Sequence, residues 1–144
     1  MAIRRIDSLG YQIGLLGRLY DRRLQEMLKD YGVAPGQFAP LVMLFEQDGL
    51  TQAELCRRIN VEQPTMANTL KRMERDGLIK RKNDTADKRR ALVHLTPRAR
   101  EMQTKVMESA RAVSNQTVKG LSVSDQDDMF RLVARMVDNL KGAN

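Results

Sequence analysis

A mainly α fold of about six helices with one small β-wing is predicted by three observations. Apolar residues recur at helical spacing over most of the 144 residues. Two short strand-like runs, residues 78–82 and 91–95, enclose a polar turn. The basic excess is confined to their neighbourhood: residues 57–100 hold 13 Lys/Arg against 5 Asp/Glu, whereas the remainder holds 12 against 13. Two short helices lead into the strands, so the arrangement reads as a winged helix-turn-helix.

The totals bound the function. An apolar share of 42% suits one domain with a real core, and without Trp that core must rest on Leu, Val, Ile and the nine Met. The formal charge of +7, so localised, is the footprint of a polyanion partner, nucleic acid first and an anionic membrane second. One Cys and one His exclude an intrachain disulfide and make a metal cluster or a nucleophile–base pair unsupported. No Gly-rich phosphate loop appears. The expectation is therefore a protein that is not an enzyme, with no cofactor and no metal. The N-terminal stretch lacks the apolar core of a signal peptide, and no apolar run nears the ~20 residues of a membrane span. A cytoplasmic protein without a membrane partner is expected.

The elements follow in order. Leu9, Ile13, Leu16, Tyr20, Leu24, Met27 and Tyr31 form a helical stripe over residues 6–30, closed by Gly32. Gly10, Gly14 and Gly17 interrupt it, which points to close approach by another helix or a ligand. Pro35 suits the first turn of a second helix, whose Phe38, Leu41, Val42, Leu44 and Phe45 make it apolar most of the way round and hence central. Thr51 and Glu54 have the spacing of a capping box opening a third helix, and Asn60 suits a left-handed turn after it. The fourth helix covers residues 62–76, with Met66, Leu70 and Met73 on its buried face and Pro64 permitted in its first turn. Thr96 and Pro97 start a long fifth helix. Ser122 and Asp125 cap a sixth, whose Met129, Phe130, Leu132, Val133, Met136, Val137 and Leu140 are too wide an apolar surface for one neighbour. The first and last helices together suggest an intermolecular interface.

The fourth helix carries the candidate recognition residues. Gln63, Pro64, Thr65, Asn68, Thr69 and Arg72 lie off its apolar face. Asn and Gln can pair with adenine, Thr can contact phosphate or a thymine methyl, and Arg can reach phosphate or guanine. A solvated polar face is the alternative, and the confined basic charge weighs against it. The candidate wing residues are Lys82, Asp87, Lys88, Arg89 and Arg90. Arg suits a narrow, electronegative minor groove. Asp87 is too acidic a choice for a plain phosphate-binding turn and is expected to hold a neighbouring Arg.

These residues carry a resemblance. The run LTQAELCRRINVEQPTMANTLKRMERDGLIKR, then DKRRALVHLT with Asp87 and Arg89 as the wing's D-x-R, resembles the MarR family of winged-helix transcriptional regulators over nearly the whole chain. The resemblance implies a homodimer joined by its N- and C-terminal helices and bound to a pseudo-palindromic site in double-stranded DNA. Within a single domain of residues 1–144, residues 1–34 and 97–144 would dimerise and residues 35–96 would form the DNA-binding lobe. Arg89 would enter the minor groove. A sequence-specific regulator, a repressor by this reading, would be controlled by a small aromatic or anionic effector, with Tyr11, Tyr20, Phe38 and Met43 as candidates for its pocket. Asn68 departs from the Arg common in the family, which bears on base preference there and not on docking.

Two other readings compete. A sequence-tolerant architectural or anti-silencing protein would bind with affinity that depends on salt and hardly on sequence. A thiol redox sensor would use Cys56, but the resemblance implies a sensing Cys in the first helix and places Cys56 where the family usually has Ala, a small side chain packed between helices. His94 has no cluster beside it in sequence, so metal binding there is not expected.

Overall fold

A computed structural model describes Arg4 and residues 7–142. Its elements are α1 (Leu9–Leu28), α2 (Phe38–Glu46), β1 (Leu50–Thr51), α3 (Gln52–Ile59), α4 (Gln63–Arg75), β2 (Ile79–Asn83), β3 (Ala91–Leu95), α5 (Pro97–Thr117) and α6 (Val123–Lys141). Six helices and a small antiparallel sheet make the winged helix-turn-helix that the sequence predicts. The chain forms two compact units, Met1–Ala110 and Arg111–Asn144.

In the first unit, Ser8 caps α1 by accepting from the Tyr11 backbone N–H at 3.5 Å. The expected start at residue 6 lies outside the described residues. A single 3₁₀ turn, Lys29–Tyr31, extends the helix to Gly32, whose φ of 71° ends it. Leu24 and Leu28 are buried, while Leu9, Ile13, Leu16 and Leu19 nearer the N-terminus stay exposed. A Cβ added at Gly10 or Gly17 would meet nothing within 4 Å, and one at Gly14 would meet only the Arg18 guanidinium. The close approach expected at these glycines is therefore not made inside this unit.

α2 begins three residues later than Pro35 suggests. Gly36 has φ +84°, a left-handed conformation that cannot belong to a right-handed helix, so Pro35 serves a turn instead. The helix then buries Leu41 and Leu44. It is followed by a strand the sequence did not announce. β1 has only two residues, too few to alternate visibly, and it pairs antiparallel with β3 through Leu50↔Val93 and Thr51↔Leu92. Gly49, at φ 76°, makes the turn into it; a Cβ there would stand 3.0 Å from the His94 ring.

The sheet order is β1-β3-β2. β2 pairs with β3 from Ile79↔Leu95 to Asn83↔Ala91. Only Ile79 of β2 is buried, so the hairpin leaves the core after its first residue. Its base is fixed by a core of Leu41, Leu44, Leu50, Leu55, Met66, Leu70, Met73, Leu78 and Val93, each essentially closed to solvent. Full burial of one such side chain stabilises the fold by roughly 1.5–3 kcal/mol.

In the second unit, the end of α5 precedes α6, and a capping box opens α6 as its spacing predicted. Ser122 Oγ accepts from the Asp125 N–H at 3.0 Å, and the Asp125 carboxylate accepts from the Ser122 N–H at 3.2 Å. No residue of α6 is buried; Phe130, Leu132, Val133, Val137 and Leu140 are all exposed. Among the described residues no helix is long and apolar enough to cross a membrane.

Candidate nucleic-acid interface

The helix-turn-helix is assembled from α3 and α4. Thr51 caps α3 by accepting from the Glu54 N–H at 3.2 Å, and the Glu54 carboxylate accepts from the Thr51 N–H at 2.9 Å. Such a cap contributes about 1 kcal/mol. At the other end Asn60 adopts φ 59° and the Val61 N–H returns to the Cys56 carbonyl at 3.1 Å, which turns the chain into α4. Cys56 is 9% exposed, so its thiol packs between helices rather than facing solvent.

α4 starts at Gln63 with Pro64 in its first turn. Met66, Leu70 and Met73 are buried, and this fixes what faces outward. Gln63, Pro64, Thr65, Asn68 and Arg72 are exposed, and Thr69 is half-buried. Pro64, Thr65, Asn68, Thr69 and Arg72 thus share the open side of one helix, whereas Gln63 stands in line with Met66 and Leu70 and is exposed as the first residue of α4. Two of them are already engaged. The Thr69 hydroxyl donates to the Thr65 carbonyl at 2.9 Å, which leaves its methyl and lone pairs for a partner. Gln63 Oε1 accepts from Gln52 Nε2 at 3.0 Å.

The far end of α4 is tied to the rest of the lobe by a buried glutamine. Gln37 is 2% exposed. Its Oε1 accepts from the Ala34 N–H at 3.0 Å and its Nε2 donates to Asp76 Oδ2 at 2.9 Å. Asp76, the residue that ends α4, also receives Arg75 Nε at 3.0 Å, and its carbonyl takes Arg98. The Arg75 hydrogen bond, then that of Gln37, hold the Asp76 carboxyl below its ordinary range.

The wing tip is organised by Asp87. Its Oδ1 accepts from the Arg89 N–H at 3.1 Å and from Arg89 Nε at 3.2 Å. These bonds lower the Asp87 carboxyl from its ordinary range, the Arg89 side chain first and its backbone second. The Arg89 side chain nevertheless remains 91% exposed. The result is a guanidinium whose root is held and whose face is free to meet a partner. Lys82 and Lys88 are exposed as well. Arg90 differs from its neighbours: it lies 3.8 Å from Glu54 and 3.9 Å from Asp84, so it ties the wing to the capping glutamate of α3.

The base of the wing has a second polar knot. Asp48 accepts from the Leu95 N–H at 2.8 Å, pairs with Arg100, and lies 3.4 Å from His94 Nδ1. His94 therefore has a carboxylate beside it that sequence distance hides. Among the described residues no three metal-ligating side chains come together.

Of the four residues expected around an effector, Phe38 lines a cavity. A cavity of about 240 Å³ between α1 and the 33–39 segment is lined by Phe38 with Leu24, Leu28, Val33 and Pro35. Tyr11 is exposed on α1, while Tyr20 and Met43 are half-buried; none of these three lines it. Sequence reasoning missed Gln52, Gln37 and the tethering role of Arg90, since each acts on a residue distant in sequence.

Residues 33–91 match the model of the MarR family. Over 138 residues the chain is 28% identical to the transcriptional regulator HosA of Escherichia coli, covering 96% of this chain and 99% of that protein. A probable transcriptional regulator from Pseudomonas aeruginosa has a similar structure, with TM-score 0.84 and 29% identity over 92% of this chain and 99% of that one. A protein from Listeria monocytogenes solved in complex with 26mer DNA shares the fold at TM-score 0.87 and 21% identity, over 92% and 89% of the two chains.

Proposed function

We propose that this chain is a regulator of the MarR type, whose family model matches residues 33–91, and that it acts as a dimeric repressor of a pseudo-palindromic DNA site. The observation that carries the reading is the pairing of two exposed features on one lobe. One is the polar side of α4, Gln63 to Arg72. The other is the wing tip, where Asp87 holds Arg89 by its root. The helix has the right side chains for the major groove and the wing the right charge for phosphate and minor groove, with Lys82 and Lys88 adding to it. The 26mer DNA in complex with the Listeria protein of the same fold supports DNA as the partner. The regulator works in the cytoplasm, with its DNA.

Dimerisation assigns residues 1–34 and 97–144 to the subunit interface and residues 35–96 to the DNA-binding lobe. Its support is the apolar surface left open separately on α1 and on α6. Exposed patches of that kind mark association surfaces. A small aromatic or anionic effector, bound near Phe38 with Tyr11, Tyr20 and Met43 as further candidates, would regulate binding only by preferring one spacing of the two lobes.

Selection of bound sequences from a random DNA pool at two salt concentrations tests the reading. The expected product is an inverted repeat with half-sites about one helical turn, ~34 Å, apart. Recovery of no sequence preference, with affinity that falls steeply with salt, replaces it with an architectural DNA coat. Sedimentation of the free protein as a monomer removes the dimer.

A further inference from the structure

We propose that Gln52 is a positioning residue for base readout: it fixes the carboxamide of Gln63 with its amino group turned outward, and so sets which base edge Gln63 selects. The proposal rests on α4 being the recognition helix and deepens that reading.

Gln52 is the first residue of α3 and Gln63 the first of α4, so the turn at Asn60 brings two helix starts side by side. Gln52 Nε2 donates to Gln63 Oε1 at 3.0 Å. Gln52 is half-buried and lies between Thr51 and Glu54, the two residues of the capping box. Gln63 is exposed.

A carboxamide has a donor end and an acceptor end of nearly the same shape. Left alone on a surface, it turns over and offers either end, which discriminates weakly between bases. With Oε1 occupied by Gln52, the two protons of Gln63 Nε2 remain to be offered. An amino group presented to the major groove suits acceptor edges: N7 and O6 of guanine first, N7 of adenine second. It is mismatched to cytosine, whose groove edge offers the N4 amino donor. Gln52 therefore shapes specificity from a helix that need not touch that base.

The test compares selected DNA profiles for the wild-type protein, Gln63→Ala, Gln52→Ala, the double variant and Gln52→Glu, each first shown by its thermal melt to be folded. Gln63→Ala marks the base pair it reads by erasing preference there. Gln52→Ala is expected to lower discrimination at that same pair by about 3- to 10-fold, a part of what a good base contact supplies, and to leave the other positions alone. In the Gln63→Ala background it should change nothing further, as coupled residues require. Gln52→Glu can only accept, so it turns the Gln63 amide over and moves preference at that pair away from guanine towards cytosine and adenine, whose groove edges offer the N4 and N6 amino donors. A Gln52→Ala protein that binds every sequence more weakly by one factor, in both backgrounds, has lost a phosphate contact or a structural one, and the proposal is overturned. An unaltered profile in Gln52→Ala overturns it alone. An unaltered profile in Gln63→Ala overturns the assignment of Gln63 as a reader and the proposal with it.

Discussion

The recognition helix and the wing tip offer side chains to the same proposed partner but are held by different physics. α4 is fixed from behind: Met66, Leu70 and Met73 are buried, and its outward face is whatever the core leaves over. The wing leaves the core after Ile79, and its tip is shaped by short-range polar bonds, above all the Asp87–Arg89 clamp. Burial of apolar area is nearly indifferent to salt, whereas an exposed ion pair is screened by it. Substitutions under α4 should therefore appear as lost stability, and substitutions in the wing as lost affinity in a fully stable protein.

The sharpest way to break this contrast is Leu70→Ala. The side chain is wholly buried, so the cavity it leaves should cost ~2–5 kcal/mol. Against a total of about 5–15 kcal/mol for a typical domain, that is a large part of the stability. Urea denaturation should show the midpoint falling, while the folded fraction keeps its DNA preference. A Leu70→Ala protein of undiminished stability would show that burial of this face is not what holds α4.

Gln37→Leu asks the same question at the end of α4. It strands the Ala34 N–H and removes one of the donors on Asp76, at a cost of ~1–3 kcal/mol. It also changes the acid limb. The Asp76 carboxyl is held low, so its contribution is complete above the ordinary carboxylate range and is lost as pH falls through the lowered value. With one of its two donor residues gone there is less to lose. Stability measured at neutral and at acid pH should differ by less in Gln37→Leu than in the wild-type protein.

The same contrast separates what the sequence revealed from what it hid. The capping boxes at Thr51–Glu54 and Ser122–Asp125, the left-handed turn at Asn60, and the hold of Asp87 on Arg89 are interactions over two or three residues, and residue type with spacing announces them. The apolar stripe of α4 likewise announces its open face. Bonds across the fold leave no such trace. Gln37 meets Asp76 at a separation of 39 residues, Gln52 meets Gln63 only once α3 and α4 have packed, and β1 exists only because β3 lies beside it. At Pro35 the local signal pointed to a helix start, but Gly36 beside it takes the left-handed conformation of a turn. Arg90 looked like its basic neighbours until Glu54 and Asp84 were found within 4 Å of it.

In the wing, Arg89→Ala should weaken DNA binding by on the order of 10- to 100-fold, the range of a charge-assisted hydrogen bond, without moving the thermal melt. Sedimentation should leave the assembly state unchanged. A fall in melting temperature as large as that of Leu70→Ala would show that the wing belongs to the core after all.

The smallest effect expected is also the most discriminating, because two opposing terms meet in Asp87→Asn. The substitution loosens the hold on the Arg89 guanidinium, which disfavours binding. It also removes a negative charge from a surface that faces phosphates, which favours binding. Repulsion from phosphate acts through solvent and is damped within a Debye length, about 10 Å at 0.1 M salt. The orientation of Arg89 is a contact effect and is damped less. Asp87→Asn should therefore bind DNA as well as the wild-type protein or better at low salt, and a few-fold worse at high salt. Placing the same substitution in Arg89→Ala removes the contact term altogether, so only relief of repulsion is left and binding should tighten at every salt concentration. If Asp87→Asn weakens binding equally in both backgrounds, the aspartate meets the DNA itself, and its bond to Arg89 is not what shapes the wing.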